Sequence, residues 1–518
     1  MGDAVTVTFL PSGVVAEVVR GATVLEAAIA AGVSLPAPCG GRGRCGRCAV
    51  RVSDGTLAPP DEHEIAALAR VRVEGAGVRL ACRARVAEPV AVCPLGAPAR
   101  SARASRSASV GELVAAVDLG TTTVAVRLLD AASGQHVAEA VVPNQQVNWG
   151  ADVLARITAA LEGQASQLAE AALDSITEAL SAAVGTVELS GTHITRAVIA
   201  ANPAMASLLS GVEVGGLAAH PFASALHAVD THALARSLGV REVVLVPPIA
   251  AFVGGDLVAG VLFAGLAEGA DGVLYVDIGT NAEVAYVLPE QTLVASAPAG
   301  PAFEGWGIAC GGSAGDGGVR SVAIVDGEPV LSHSGPVATH LTGSGLLSAI
   351  AALRHAGHLR ADGLLVKDGP LSDRVFETEG VQAVSLAPAP SDRSLFLSQL
   401  DIRAFQSAKA AVASAVRSVV MRAGERVVPT RAIVSGAFGG AIDVDHLVAL
   451  GVLPRDVGGH IDIVADAVLS GASDIAIDTG LIEDAARLAA RTHHVDLAVS
   501  EEFSRDFLAA LALEEFDL

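Results

Sequence analysis

Four cysteines, Cys39, Cys45, Cys48 and Cys82, stand as C-x5-C-x2-C with one further cysteine after a long gap. A 2Fe-2S cluster needs four thiolates, and small ferredoxins supply three from one glycine-rich loop and the fourth from a distant strand. The loop Pro38-Cys-Gly-Gly-Arg-Gly-Arg-Cys-Gly-Arg-Cys48 has the glycine content to wrap closely round a small group. A structural zinc site is the alternative, but zinc domains usually pair two short C-x2-C units and Cys82 stands alone. Cys93 and Cys310 read as small buried hydrophobes. The start MGDAVTVTFLPSG has no basic leader followed by an apolar run, so the expected compartment is the reducing cytoplasm, where ligation explains crowded cysteines better than disulfides do.

A second constellation occurs twice. Val114-Ala-Ala-Val-Asp118-Leu-Gly-Thr-Thr-Thr123 matches Val273-Leu-Tyr-Val-Asp277-Ile-Gly-Thr-Asn281 at long range. In each copy an apolar strand ends in Asp, turns through Gly-Thr and returns, the pattern of a hairpin. Amides and hydroxyls at Gly120, Thr121, Thr122 and Thr123, and at Gly279, Thr280 and Asn281, can bind phosphate oxygens, while Asp118 and Asp277 can hold Mg2+ through its waters. One copy suits an ordinary turn equally well; the duplication argues for the clamp. A third segment, Val434-Ser-Gly436-Ala-Phe-Gly439-Gly440, reads as a strand-to-loop turn where bare backbone can approach an adenosine, or as a plain turn. Lysine occurs only at Lys367 and Lys409, and no Gly-Lys-Ser/Thr triplet exists, which excludes a P-loop. Asp256 lies in an otherwise apolar stretch, where a carboxylate is costly without a partner. It is expected in a cleft, orienting Mg2+ or water, rather than as a helix cap. Glu304, in a Gly/Pro loop, is open between nucleotide contact and turn.

These residues need elements to carry them. Alternation over residues 5–10 and 14–19 predicts a hairpin, 23–31 a short helix and 49–52 a strand. Residues 97–111, all Ser, Arg, Ala and other small or polar types around one Pro, are expected to be a flexible linker. The domains expected are 1–96, an iron-sulfur domain; 112–270, a first lobe; and 271–518, a second lobe. Helices are predicted over 152–161, 164–184 and 401–423, and the sum is an α/β fold. With 34 basic against 56 acidic residues the net charge is −22, which opposes nucleic acid and anionic membrane surfaces as partners. The apolar stretch 249–267 carries Asp256 and paired glycines at its centre and no basic flank, so it reads as a buried helix rather than a membrane span.

The duplicated hairpin with a later Gly-rich turn resembles the acetate and sugar kinase, heat-shock chaperone and actin superfamily of ATPases. A ferredoxin domain in front is similar to the reductive activators of corrinoid proteins, and Arg79-Leu-Ala-Cys82-Arg resembles the fourth-ligand segment of adrenodoxin-like ferredoxins. Gly150-Ala-Asp-Val-Leu-Ala-Arg-Ile157, Ala201-Asn-Pro-Ala-Met205, Phe252-Val-Gly-Gly-Asp256, Ala299-Gly-Pro-Ala-Phe-Glu-Gly305, Gly343-Ser-Gly345 and Asp401-Ile-Arg-Ala-Phe-Gln-Ser-Ala-Lys409 also fit that family. The resemblance implies a β-grasp ferredoxin domain followed by a two-lobed actin-like ATPase. It places Asp118, Asp256 and Asp277 around Mg2+, with Glu304, Gly343, Ser344, Gly345, Gln406, Lys409, Gly436, Gly439 and Gly440 among the ATP contacts; Lys409 matches a lysine that approaches adenosine in chaperone ATPases. The activity implied is ATP-dependent transfer of an electron from the cluster to an inactive Co(II) corrinoid protein, restoring Co(I) for methyl transfer. A corrinoid protein and an electron donor are then the partners, and a homodimer is admitted. Longer relatives insert a domain where this chain has only the Ser/Arg linker. Two other readings are an activator of a different low-potential metalloenzyme and a redox-sensing, nucleotide-binding scaffold without turnover.

Overall fold

Alternating apolar residues open the chain as a hairpin, β1 (Ala4–Phe9) and β2 (Val14–Val19), paired from Ala4 opposite Val19 to Phe9 opposite Val14. The coordinates are a computed structural model that describes all residues except 1–3, 11–12, 34, 36, 38–40, 42, 44–47, 72–76, 96–100, 105–110, 151, 187–192, 227–228, 313, 379, 425–427, 437–441 and 458–459. After the hairpin come α1 (Val24–Ala30), β3 (Ala49–Leu57), α2 (Glu62–Val71), β4 (Val78–Leu80) and β5 (Val86–Pro94). Thr23 and Glu26 form a reciprocal cap that starts α1. The sheet order β2-β1-β5-β3-β4, with β1 parallel to β5, is a β-grasp, and its core gathers Val7, Phe9, Val24, Val50, Leu80 and Val92.

The expected flexible linker is corrected in part. Ser101–Ala104 form a strand, β6, which adds antiparallel to the edge of the next sheet at Ala138–Val141. Its pairing is made by backbone groups, so small side chains suffice. The first lobe continues with β7 (Leu113–Leu119), β8 (Thr123–Asp130) and β9 (His136–Pro143), then α3 (Val153–Ala159), α4 (Ala165–Val184), β10 (Ile194–Ala201), α5 (Pro203–Ser210), α6 (Thr231–Leu238) and β11 (Glu242–Leu245). Asp152 caps α3, which ends in a wide turn where Gly163 takes φ 97°. The sheet runs β11-β10-β7-β8-β9-β6.

Two compact units result, residues 1–245 and 246–518. In the second, α7 (Gly255–Phe263) packs on α11 (Ala467–Ile477). The apolar stretch around it is thus a nine-residue buried helix, and among the described residues no helix is long and apolar enough to cross a membrane. The second unit proceeds through β12 (Val273–Ile278), β13 (Ala282–Val287), β14 (Thr292–Ala297), β15 (Gly318–Val325), β16 (Glu328–His333), β17 (His340–Leu341) and α8 (Gly343–His355). Next are β18 (Val375–Thr378), β19 (Val381–Ser385), β20 (Phe396–Ser398), α9 (Gln399–Ala423), β21 (Arg431–Gly436) and α10 (Val444–Ala449). The chain closes with β22 (Ile461–Ile463), α11 (Ala467–Ile477), α12 (Gly480–Arg491), β23 (Thr492–His494) and α13 (Glu501–Ala509). Its main sheet, β22-β21-β12-β13-β14-β23, repeats the plan of the first: a three-strand antiparallel meander extended by two parallel strands on its first member. The sequence repeat is therefore a structural duplication.

Candidate functional site

Cys48 follows the glycine loop directly before β3, and Cys82 follows β4. Their Sγ atoms lie 3.2 Å apart in the buried core of the β-grasp. That is too long for a disulfide of about 2.05 Å and close to the roughly 3.8 Å between two thiolates on one tetrahedral metal bound at about 2.3 Å. Backbone bonds hold the pair: Ala81 N–H donates to Cys48 O at 2.9 Å, and Leu25 N–H to Ala81 O at 2.9 Å. Glu64, almost fully buried, grips the strand leading to Cys82, accepting from Arg79 Nε and Nη2 at 2.8 and 2.9 Å and from Leu80 N–H at 2.8 Å. Cys39 and Cys45 lie outside the described residues. Cys93 and Cys310, expected to be buried, are partly exposed.

The first Gly-Thr turn is pinned from behind. Asn144 donates its side-chain amide to Gly120 O at 2.8 Å and its backbone N–H to Thr122 O at 2.9 Å. Arg156, fully buried, donates to Thr121 O and, at 3.0 Å, to Gly150 O. Asn202, the cap of α5, reaches Thr121 Oγ1 at 3.4 Å. The carbonyls of Gly120, Thr121 and Thr122 are thus engaged, which leaves amides and hydroxyls, the groups that bind phosphate, as the turn's remaining hydrogen-bonding capacity. A Cβ on Gly120 would stand 2.9 Å from Thr123 O, so the turn closes only with glycine. Asp118 is half-buried, opposite Ala125.

The second turn differs by one residue. Leu119 faces Val124 in the first hairpin, whereas Ile278 faces Ala282 in the second. This shift sets Glu283 directly across from Asp277, a carboxylate that the sequence reading did not single out. Burial pushes Asp277 up to about 7, with Asp256 and Glu304 adding to the effect. Glu283 is raised well above the usual range by burial, then by Asp256 and Asp277. Asp256 sits in the first turn of α7, its Oδ1 accepting from Leu257 N–H at 2.8 Å, and burial lifts it to about 6 against the pull of backbone amides. It therefore lies at a helix start and also within the field of Asp277 and Glu283. Glu304 Oε1 accepts from Thr280 Oγ1 at 2.5 Å, which fixes the threonine hydroxyl in its turn. Among the described residues no three acidic, thiol or imidazole side chains converge to ligate a metal directly. A cation beside Asp277 would then be held largely through water and phosphate, as Mg2+ is.

Comparison with known proteins bears on both constellations. The profile of a 2Fe-2S iron-sulfur cluster binding domain matches residues 7–87, that of the RACo middle region residues 113–269, and that of the C-terminal ASKHA domain of RACo residues 271–518. This chain belongs to the family of reductive activators of corrinoid proteins. Corrinoid activation enzyme RamQ of Eubacterium limosum is 29% identical over 415 residues, 76% of this chain and 69% of that protein. The Co(II) methylated amine-specific corrinoid protein reductase of Methanosarcina barkeri is 24% identical over 298 residues, which is 52% of this chain and 51% of that one. A solved structure of a reductive activator for a corrinoid, iron-sulfur protein shares the fold, with a TM-score of 0.71 at 23% identity over 99% of this chain and 98% of the other.

Other stretches of this activator that resemble its family have structural employment. Gly343 begins α8 where a Cβ would stand 1.7 Å from Phe303 O, so it lets the helix press on the turn that carries Glu304. Gly345 has Val319 O at 2.0 Å from a built Cβ, and Ser344 Oγ lies 3.0 Å from Thr342 Oγ1. Gly436, at φ 121°, lies where a Cβ would be 2.1 Å from Ile278 O; Gly439 and Gly440 are outside the described residues. Gln406 and Lys409, expected among the ATP contacts, have partners within the second unit. Gln406 Nε2 donates to Leu511 O at 2.6 Å and Lys409 Nζ to Ala512 O at 2.5 Å, so both heads hold the C-terminal segment. Burial lowers Lys409 to about 8, with Glu514 opposing the shift. Lys409→Ala should therefore destabilise the second unit by about 1–3 kcal/mol, because Ala512 O loses its donor. Chemical denaturation and ADP titration check this: stability should fall while nucleotide affinity stays within about twofold of the parent.

Proposed function

We propose that this chain is an ATP-dependent reductive activator that returns an inactive Co(II) corrinoid protein of a methyltransferase system to Co(I). One observation carries the reading: a buried, metal-ready thiol pair and a duplicated Gly-Thr hairpin with a buried carboxylate stand in one chain. RamQ, a corrinoid activation enzyme by name, is related to it over most of both proteins. Cys48 and Cys82, with Cys39 and Cys45, would hold a 2Fe-2S cluster, which supplies a one-electron store. Asp277, aided by Asp256, would orient Mg2+ waters; the Gly279–Asn281 turn of the second unit, and the Gly120–Thr123 turn with Asp118 in the first, would supply groups for phosphate. Reduction of Co(II) is uphill from an ordinary ferredoxin potential. ATP helps only through unequal affinity for two states of the protein, in one of which the electron reaches cobalt more readily.

The test is anaerobic. Dithionite-reduced protein, freed of excess reductant, is mixed with a Co(II) corrinoid protein and Mg2+ plus ATP, ADP or no nucleotide, and Co(I) absorption is followed. ATP alone should support rapid Co(I) formation. Equal rates without nucleotide would remove the ATP dependence, and no Co(I) under any condition would overturn the activity.

A further inference from the structure

Asn144-Gln-Gln-Val-Asn148 carries four amide side chains in five residues, and all five residues are buried. Residues Gln145–Asn148 form a single 3-10 turn after the cap Asn144. Buried amides persist where they are hydrogen-bonded, and these are bonded in two directions. Toward the first Gly-Thr turn, Asn144 holds Gly120 O and Thr122 O, and Gln146 Oε1 accepts at 3.2 Å from Arg156, the donor to Thr121 O. Toward the N-terminal domain, Asn148 Oδ1 accepts from Leu35 N–H at 2.9 Å and Asn148 Nδ2 donates to Val33 O at 3.3 Å. Val147 O accepts from Ala37 N–H at 3.1 Å. The Asn148 amide thus pairs with two backbone groups as a neighbouring strand would. Helix α4 fixes the turn from a third side, through Ser175 Oγ to Gln145 N–H at 2.9 Å and Leu168 O to Gln146 Nε2 at 2.8 Å. Two positions beyond Ala37 the sequence reaches Cys39, past Pro38, a residue type with little backbone freedom.

We propose that Asn148 is a positioning residue that couples the cysteine loop to the phosphate turn of the first lobe. By tying Val33 and Leu35 to the Gln145–Asn148 turn, with Ala37 bonded to the same turn, it makes the approach to Cys39 and the Gly120–Thr122 turn share one positional equilibrium. A nucleotide that shifts one then shifts the other. The inference rests on the Gly120–Thr122 turn being a phosphate site, as proposed above. Linkage makes the coupling reciprocal: the factor by which nucleotide biases oxidation state is the factor by which oxidation state changes nucleotide affinity.

The experiment measures affinity for ADP and for a non-hydrolysable ATP analogue by calorimetry, on oxidised and on reduced holoprotein. In the parent the two oxidation states should differ about fivefold or more, within the usual range of such couplings. Asn148→Ala should bring the ratio below about twofold, with visible absorption and oxidised-state affinity unchanged, and Asn148→Asp, which keeps the acceptor for Leu35 but not the donor to Val33, should fall between. Nucleotide binding with a ratio near one in the parent, or an unchanged ratio in Asn148→Ala, overturns the coupling and leaves the proposed function standing. No nucleotide binding by the parent sinks the phosphate reading and the coupling together. Should Asn148→Ala fail to fold, amide exchange on the parent decides: bound nucleotide should change the rates at Leu35 and Ala37 about threefold or more, and unchanged rates there overturn the inference.

Discussion

Asp277→Asn is expected to cut Mg2+-dependent ATP hydrolysis at least about a hundredfold, the loss typical when one preorganised electrostatic contact to a reacting centre is removed. The substitution keeps the volume and planar shape of the side chain at the end of β12, so its paired neighbours Glu283 and Ser435 need not move. What it removes is the charge. In the parent, burial and the neighbouring Asp256 and Glu304 push Asp277 up to about 7, so its anionic form is costly until a cation compensates it. The sign of the pH dependence follows. A carboxylate raised from 3.8 to about 7 on folding binds its proton more tightly in the folded state. Its stabilising contribution is fully present below pH 3.8 and is lost as pH rises through about 7. Asp256 and Glu283 act in the same direction. In chelator, the melting temperature of the parent should fall between pH 5 and pH 8 more steeply than that of Asp277→Asn, and Mg2+ with ADP should raise the parent more at pH 8 than at pH 5. Hydrolysis at the parental rate in Asp277→Asn would take the second hairpin out of the phosphate site.

Much of this site was readable from one chain because its signals are local. An alternating strand ending in Asp-x-Gly-Thr and returning fixes a hairpin within about a dozen residues, and its recurrence at 273 announces the duplication that the two sheets display. The cysteine spacing works similarly. What escaped depends on partners far away in sequence. Lys409 drew notice as a rare lysine, yet its acceptor lies 103 residues on, and nothing near it in sequence points there. Glu64 has no local signal of its own, but its bonds to Arg79 and Leu80, 15 and 16 residues on, make it the buried anchor of the Cys82 strand. Glu283 became visible only through the hairpin register, which sets it opposite Asp277. Ser101–Ala104 has no apolar alternation because an edge strand needs only a free neighbouring backbone. The polar run Asn144–Asn148 carries no local sign of burial, since its amides find partners such as Gly120 and Leu168 more than 20 residues away and, for Asn148, 113 and 115 residues back in the N-terminal domain.

Cys82→Ala is expected to abolish cluster assembly. Protein purified without oxygen should be brown, with about two irons and two sulfides per chain, and the variant should lose the visible absorption and most of its iron. On the proposed reading Cys82 shares a metal with Cys48, whose sulfur lies 3.2 Å away and would need to open by about 0.6 Å to sit on one tetrahedral ion. Alanine removes one of four thiolates from a buried position where no water-exposed side chain can substitute. Cys93→Ala and Cys310→Ala should keep full iron content, since neither belongs to the spaced set. Nucleotide affinity of the second unit should stay within about twofold in Cys82→Ala, because the substitution falls in the other compact unit. The same experiment separates iron from zinc. A zinc site would depend on Cys82 equally, but the parent would be colourless and carry one zinc in place of iron and sulfide. Colourless, zinc-loaded parent protein, or a Cys82→Ala variant that keeps its iron, would remove the electron store from the chain and the proposed activity with it.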